Sequence, residues 1–315
     1  MPDRIFVTGA TGEVGRRVVP ELIRLGYQVT AVGRSEAKRA SLAKLGATPV
    51  PSPSNEHGRI SPPHAAKALS GHAVVINLAT HMPPSTIRMM LPWEWHENDR
   101  IRREDSAALV AAALDAGVTR FVQESFAPVY EDGGDRWIDE TSPIRPVKYN
   151  RTVVDAERSA ERFSASGGVG IVLRFAGFYG PDQLLRDMIG IVRKGWSPVP
   201  GRPEAFWSSC AHDDAASAVV AALTPSVVAG IYNVCDDEPL HRIEWTATLA
   251  RAAGAPMPKQ LPDWVAKFSG TTMKLLSRSQ RMSNAKLKRA SGWAPRWKSA
   301  REGLPRAVEM VTTAA

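Results

Sequence analysis

Short β-branched runs alternate with helix-period segments along the first half of the chain, which predicts βαβ units around a parallel sheet. The predicted strands are Arg4–Thr8, Gln28–Val32, Thr48–Val50, Val74–Leu78, Arg120–Glu124, Val169–Arg174 and Ile231–Val234. Helical spacing of apolar positions is clearest over Glu13–Leu25, Ser35–Leu45, Asp99–Ala116 and Tyr149–Ser164. It continues past Phe175 through Asp182–Arg193, His212–Leu223, Arg242–Ala253 and Pro262–Leu276. Prolines at 49–53, 62–63 and 83–84 predict loops. The expected architecture is an α/β, Rossmann-type doubly wound parallel sheet with a smaller, discontinuous C-terminal substrate lobe. Residues 1–175 form the first domain, with its sheet completed by about 205–235; 176–204 and 236–315 form the lobe.

Composition narrows the class. The chain has 315 residues, 43% hydrophobic and 23% charged, which excludes disordered and collagen-like sequence. No apolar run approaches the ~18 residues of a membrane helix. No charged leader precedes the first strand, so a cytoplasmic protein is expected. The two cysteines, Cys210 and Cys235, form no disulfide framework and lack metal-ligand spacing.

Charge changes the picture only locally. The net charge is +8, and eleven Lys or Arg against one acid, Asp263, fall between Lys259 and Arg301. Such a stretch suits a nucleic acid, a membrane surface or an anionic small molecule, or is simply a solvated surface. No nucleic-acid motif accompanies it, and no nucleic-acid partner is expected.

The sharpest local signal is Thr8-Gly9-Ala10-Thr11-Gly12-Glu13-Val14-Gly15, directly after a buried strand and before an amphipathic helix. Glycines spaced by three let the backbone turn tightly and approach a pyrophosphate. The anion would sit at the helix N-terminus, where unpaired N–H groups and the dipole favour it. In this context the motif is a dinucleotide site. The next strand ends Val32-Gly33-Arg34-Ser35, with Lys38 and Arg39 one turn later. An NAD site usually places an acid here for the ribose. A guanidinium can instead pair with a 2′-phosphate, so NADP(H) is expected over NAD(H).

Further along, Asn77-Leu78-Ala79-Thr80, the Tyr149 segment, Leu173 to Pro181 (Leu-Arg-Phe-Ala-Gly-Phe-Tyr-Gly-Pro), His212-Asp213-Asp214 and Gly230 to Val234 can be set beside the glycine turn. Together these resemble the extended short-chain dehydrogenase/reductases, in particular the NAD-dependent epimerase/dehydratase group, over nearly the whole chain. The resemblance implies cofactor contacts from Thr8, Gly9, Thr11, Gly12, Glu13, Val14, Gly15, Arg34, Leu78, Ala79, Thr80, Tyr149 and Phe175. It also implies a catalytic Tyr, a Ser or Thr that bonds the carbinol oxygen, and a Lys four residues after the Tyr.

Tyr149 stands at the Tyr position, and Glu157 matches an acid found eight residues on. The Lys position is Val153, and Lys148 and Arg151 lie on other helix faces. Ser125 is the candidate hydroxyl, although the alignment puts Phe126 at the usual place and a one-residue shift reverses a strand face. A plain strand-end serine is the alternative. A phenol with no cation beside it stays protonated at neutral pH, which suits proton donation in carbonyl reduction.

Glu124, at the strand's carboxyl end, and His81 are further candidates; His212 and Asp213 read as helix caps. The tryptophans around Trp93–Trp95 and Trp196–Trp207 suit a wall for a bulky apolar substrate, or packing. The resulting expectation is an NADP(H)-dependent oxidoreductase acting on a carbonyl or carbinol, with reduction favoured. Its partner would be a small apolar, aromatic or anionic molecule, with no membrane and no metal, and the fold is compatible with a homodimer. The alternatives are a sugar-nucleotide-type epimerase/dehydratase and a non-catalytic NADP(H)-binding sensor or scaffold.

Overall fold

The computed structural model describes residues 3–83, 86–89, 91–148, 150–199, 201–259, 275 and 277–313. Seven strands form the central sheet: β1 (Arg4–Thr8), β2 (Gln28–Val32), β3 (Thr48–Val50), β4 (Val74–Asn77), β5 (Arg120–Phe126), β6 (Val169–Phe175) and β7 (Gly230–Val234). Their order is β7-β6-β5-β4-β1-β2-β3, and every pairing is parallel. The order reverses beside β1, so the carboxyl ends of β1 and β4 border the crevice where such sheets bind ligands. The strands read as continuous apolar runs because both faces are covered. Ile5, Val7, Val122, Ile171 and Leu173 pack on one face, and Phe6, Val75, Phe121 and Phe163 on the other.

Strand positions match the pattern to within two residues. Pro62–Pro63 is a correction: it opens a helix, Pro62–Leu69, rather than a loop. Proline is favoured in a first turn, where its missing N–H would have no partner and its φ is already helical. The helix expected over 99–116 runs as His96–Arg100, a π turn Ile101–Asp105 and Ser106–Asp115. Ile101 and Arg102 are buried within the π turn.

A separate apolar cluster joins Tyr179, Leu185, Ile189, Leu240, Trp245, Leu249 and the C-terminal helix Ala300–Thr313. The strands Phe206–Trp207 and Ser209–Ala211 pair outside the central sheet, with Leu240–His241 and Gly177–Tyr179 respectively. Only Gly230–Val234 of the 205–235 stretch joins the sheet, at its edge. The helix expected over 262–276 falls outside the described residues apart from Leu275.

Candidate active site

The glycine turn is built by close approach. Gly9 has φ +65°, and a Cβ there would lie 2.2 Å from the Leu78 carbonyl oxygen. Gly15 has no more room, since its Cβ would meet the Gly9 oxygen at 2.2 Å. At Gly12 the nearest neighbour of a Cβ is that same oxygen, at 3.3 Å, and this residue fronts the cleft. No side chain caps the helix Gly15–Arg24 that follows, and its first turn carries no acid. These features fit a dinucleotide pyrophosphate set against backbone N–H groups.

The cleft over this turn has a volume of about 200 Å³. Thr8, Gly9, Thr11, Gly12, Arg34, Leu78, Ala79 and Thr80 line it. Val14 and Gly15 sit behind it, in the joint with the core. The Glu13 carboxylate turns to Arg16 and Arg17 instead. Phe175 ends β6, is 1% exposed and packs on Phe178.

At the second strand, Arg34 lines the cleft and takes part in no hydrogen bond or ion pair among the described residues, and Lys38 lines it too. Arg39 does not join them. Its Nη1 folds back to donate to the Gly33 carbonyl at 3.1 Å, in space that Gly33 leaves free.

Sequence reasoning missed one wall of this cleft, made by Glu97, Arg100 and Asp105. Arg100 bonds both acids at 2.8 Å. These bonds hold Glu97 below the usual carboxylate range, with smaller help from His81 and Arg34. The only signal in the sequence was an acid–base spacing on a predicted helix, which most surface helices share.

Parallel register sets a polar row across the floor. Thr8 pairs with Asn77, and Asn77 with Gln123. Thr8 Oγ1 donates to Asn77 Oδ1 at 2.5 Å, and Asn77 Nδ2 donates to Gln123 Oε1 at 2.9 Å and to Ser106 Oγ at 3.2 Å. This network locks the carboxyl ends of β1, β4 and β5 together beneath the cleft.

Ser125 is 1% exposed, and its hydroxyl donates to Glu157 Oε1 at 2.5 Å. Arg174 donates from Nε and Nη2 to the two Glu157 oxygens, each at 2.7 Å. Arg174 also stacks on Tyr130, whose hydroxyl donates to Asn233 Oδ1 at 2.7 Å. Burial is the main cause that pushes the Tyr130 phenol up to about 12. Val153 is fully buried on the helix Thr152–Ala165. Tyr149 lies outside the described residues.

The other candidates have definite surroundings. One Glu124 oxygen accepts from Arg102 at 3.0 Å. The His81 backbone N–H donates to Asn98 Oδ1. His212 and Asp213 do not cap their helix, contrary to expectation. The cap is Ala211, Asp213 pairs with Arg17 at 2.6 Å, and the His212 ring is buried beneath Gly180. Trp95 is a core residue bonded to the Met89 carbonyl, and Trp93 is exposed. Trp207 packs on Gly177 beside a cleft between the lobes. Among the described residues no group of His, Cys, Asp or Glu could hold a metal, and no helix is long and apolar enough to cross a membrane.

Known proteins share this arrangement. The family model described as NAD dependent epimerase/dehydratase matches residues 5–235. The chain is 33% identical to a 3-diazoavenalumate denitrifying reductase of Streptomyces sp, over 96% of this chain and 99% of that protein. It is 24% identical to the 2-alkyl-3-oxoalkanoate reductase of Shewanella oneidensis, over 87% and 74%. Among solved structures, MoeE5 in complex with UDP-glucuronic acid and NAD superposes with a TM-score of 0.77 at 23% identity, covering 99% and 100% of the two chains. DesIV, a dTDP-glucose 4,6-dehydratase from Streptomyces venezuelae with NAD bound, gives 0.77 at 22% identity, covering 98% and 97%. The chain belongs to the NAD dependent epimerase/dehydratase family.

Proposed function

We propose that the protein is an NADP(H)-dependent reductase of a small organic substrate. The observation that carries this is Arg34. It ends the second strand where an acid would favour NAD, and it faces the cleft without an ion pair among the described residues. Lys38 stands beside it, so a 2′-phosphate would meet two cations. Thr8, Gly9, Thr11 and Gly12 would hold the pyrophosphate, and Leu78, Ala79 and Thr80 would border the rest of the cofactor. When bound, NADPH supplies a hydride.

The reductive direction follows from which side chains remain for proton transfer. The Ser125 hydroxyl is committed to Glu157, and Val153 stands four residues after Tyr149, where the family resemblance implies Lys. Removing a proton from an alcohol needs a base that these residues do not provide. Donating a proton to a carbonyl oxygen needs only a neutral phenol, the role proposed for Tyr149. A more electrophilic centre would need still less help. Hydride added to an aryl diazonium carbon forms a C–H bond and expels N2, and no alkoxide develops. The long match to a denitrifying reductase supports including such electrophiles.

The direct test is titration of the purified protein with NADPH and NADH, followed by NADPH oxidation across panels of ketones and aryl diazo compounds. Tighter NADPH binding with turnover on one panel is expected. Equal binding of the two cofactors would remove the NADP assignment. Binding without oxidation on any panel would favour the sensor or scaffold alternative.

A further inference from the structure

The cleft over the glycine turn continues past Arg34 into a slot between two segments distant in the chain. Ser52, Pro53 and Ile60, which follow β3, line one side; Ile101, Asp105 and Leu109, on the π turn and the helix after it, line the other. Strand order sets the sequence of contacts. The glycine turn follows β1, Arg34 follows β2, and Ser52 and Pro53 follow β3, the next strand outward. A dinucleotide with its pyrophosphate on the turn and its 2′-phosphate at Arg34 therefore has its purine base in this slot.

On the π-turn side one acceptor has capacity left. Arg100 donates from Nε and Nη2 to the two Glu97 oxygens, at 2.9 and 2.8 Å, and from Nη1 to Asp105 Oδ1 at 2.8 Å. The Ile60 backbone N–H donates to that same Asp105 oxygen at 3.0 Å, joining the two sides of the slot. Both Glu97 oxygens and one Asp105 oxygen are thereby engaged. Asp105 Oδ2 takes no hydrogen bond among the described residues, and it reaches solvent. Two bonds to Oδ1 hold this carboxylate in the lining of the slot.

The opposite side offers no equivalent. Thr48-Pro49-Val50-Pro51-Ser52-Pro53-Ser54 contains no acid, and the Ser52 and Ser54 hydroxyls bond each other at 2.6 Å. Asn55 Oδ1 accepts from the His57 and Arg59 backbone N–H groups of its own turn. A carboxylate can only accept, and adenine carries a donating amino group at position 6. Hypoxanthine has a carbonyl oxygen there, which would face the carboxylate with no proton between them.

We propose that Asp105 selects an adenine base in the cofactor, its Oδ2 accepting from the 6-amino group. Pro53, Ile60, Ile101 and Leu109 supply apolar surface for the two ring faces. This role rests on the reading of the cleft as an NADP(H) site and deepens it, because it names the group that recognises the base.

Fluorescence titration of the full chain with NADPH and with its hypoxanthine analogue tests the role. Wild-type protein is expected to bind NADPH at least about tenfold more tightly, the scale of a lost bond to a charged acceptor that is left unpaired. Asp105→Asn keeps an oxygen for Ile60 and Arg100 and turns an amide donor to the slot, so it should equalise the two affinities or invert their order. Asp105→Ala removes the acceptor and should equalise them. Arg34→Ala should weaken both ligands alike and leave the adenine preference intact. Melting curves confirm that each variant is folded. Equal binding of the two ligands by wild type, or an undiminished preference in both Asp105 variants, would overturn the role of Asp105 and leave the NADP(H) reading standing. The same comparison with NADH and its hypoxanthine analogue covers the converse: an Asp105-dependent adenine preference in a protein that favours NADH would support Asp105 and count against NADP(H). Binding of none of the four dinucleotides would overturn both.

Discussion

Ser125 and Glu157 are joined by a 2.5 Å hydrogen bond across the joint between β5 and the helix Thr152–Ala165, in the same place where Arg174 grips both oxygens of the Glu157 carboxylate. The register of β5 against β6 pairs Ser125 with Arg174, so three groups on three elements meet at one buried point. A buried ion pair is stable only when its remaining hydrogen-bonding capacity is met, and Ser125 supplies one of those bonds.

That placement predicts a stability phenotype. Ser125→Ala should lower unfolding stability by about 1–3 kcal/mol, the cost of a lost bond to a buried charged group. Arg174→Met should cost more, about 3–5 kcal/mol, because it leaves Glu157 buried and unpaired. Urea unfolding measures both, and NADPH affinity of the folded Ser125→Ala protein should stay at the wild-type value. A hundredfold loss of turnover in a fully stable Ser125→Ala variant would contradict this and restore Ser125 as the catalytic hydroxyl.

Arg34→Ala should weaken NADPH binding by about tenfold or more, the scale of one charge-assisted bidentate contact, while NADH binding changes little. Fluorescence titration of each cofactor reads the difference. Equal losses would mean that Arg34 contacts something common to both cofactors.

Gly9→Ala should abolish cofactor binding and destabilise the fold. The φ of +65° alone costs an L-residue about 1–2 kcal/mol, and the new methyl would also collide with the Leu78 carbonyl. Gly26→Ala is the comparison, since its φ is +89° and nothing lies within 4 Å of a Cβ there. It should show the backbone cost without loss of cofactor. Thermal melts with and without NADPH separate the two effects.

His212 predicts an acid limit. Burial, followed by Arg17 and Arg16, pushes its imidazole down to about 3, although Glu13 and Asp182 lie 3.9 and 3.6 Å away. The unfolded chain takes up that proton near pH 6.5. The stability tied to His212 is therefore fully present above about pH 6.5 and is lost as the pH falls from 6.5 towards 3. His212→Gln should flatten the acid limb of a Tm-versus-pH curve in that window. An unchanged limb would show that other groups set it.

Tyr149→Phe tests the proton donor proposed for ketone reduction. Turnover on a ketone should fall by about 10²–10⁴, the usual contribution of a positioned acid, with NADPH affinity retained. Full ketone turnover in the variant would remove Tyr149 from the mechanism. An aryl diazonium substrate, which needs no oxygen protonated, should be insensitive to the change.

The strands, the glycine turn and Arg34 were legible in the amino-acid order, because each depends on neighbours within a few positions. β-Branched runs choose extended backbone, glycines at spacing three permit one tight turn, and the residue ending the second strand always reaches the same side of the crevice. Tertiary structure decided everything that depends on what comes near from far along the chain. Ser125 meets Glu157 only because strand register and helix packing bring them together. Arg39 turns from the cleft because Gly33 leaves space for it, and Thr8, Asn77 and Gln123 align only through parallel pairing. Arg242 meets Trp207 and the Arg278 carbonyl only because folding brings these three segments together. Sequence showed the charge of Arg242; only the fold could show that it is fully buried.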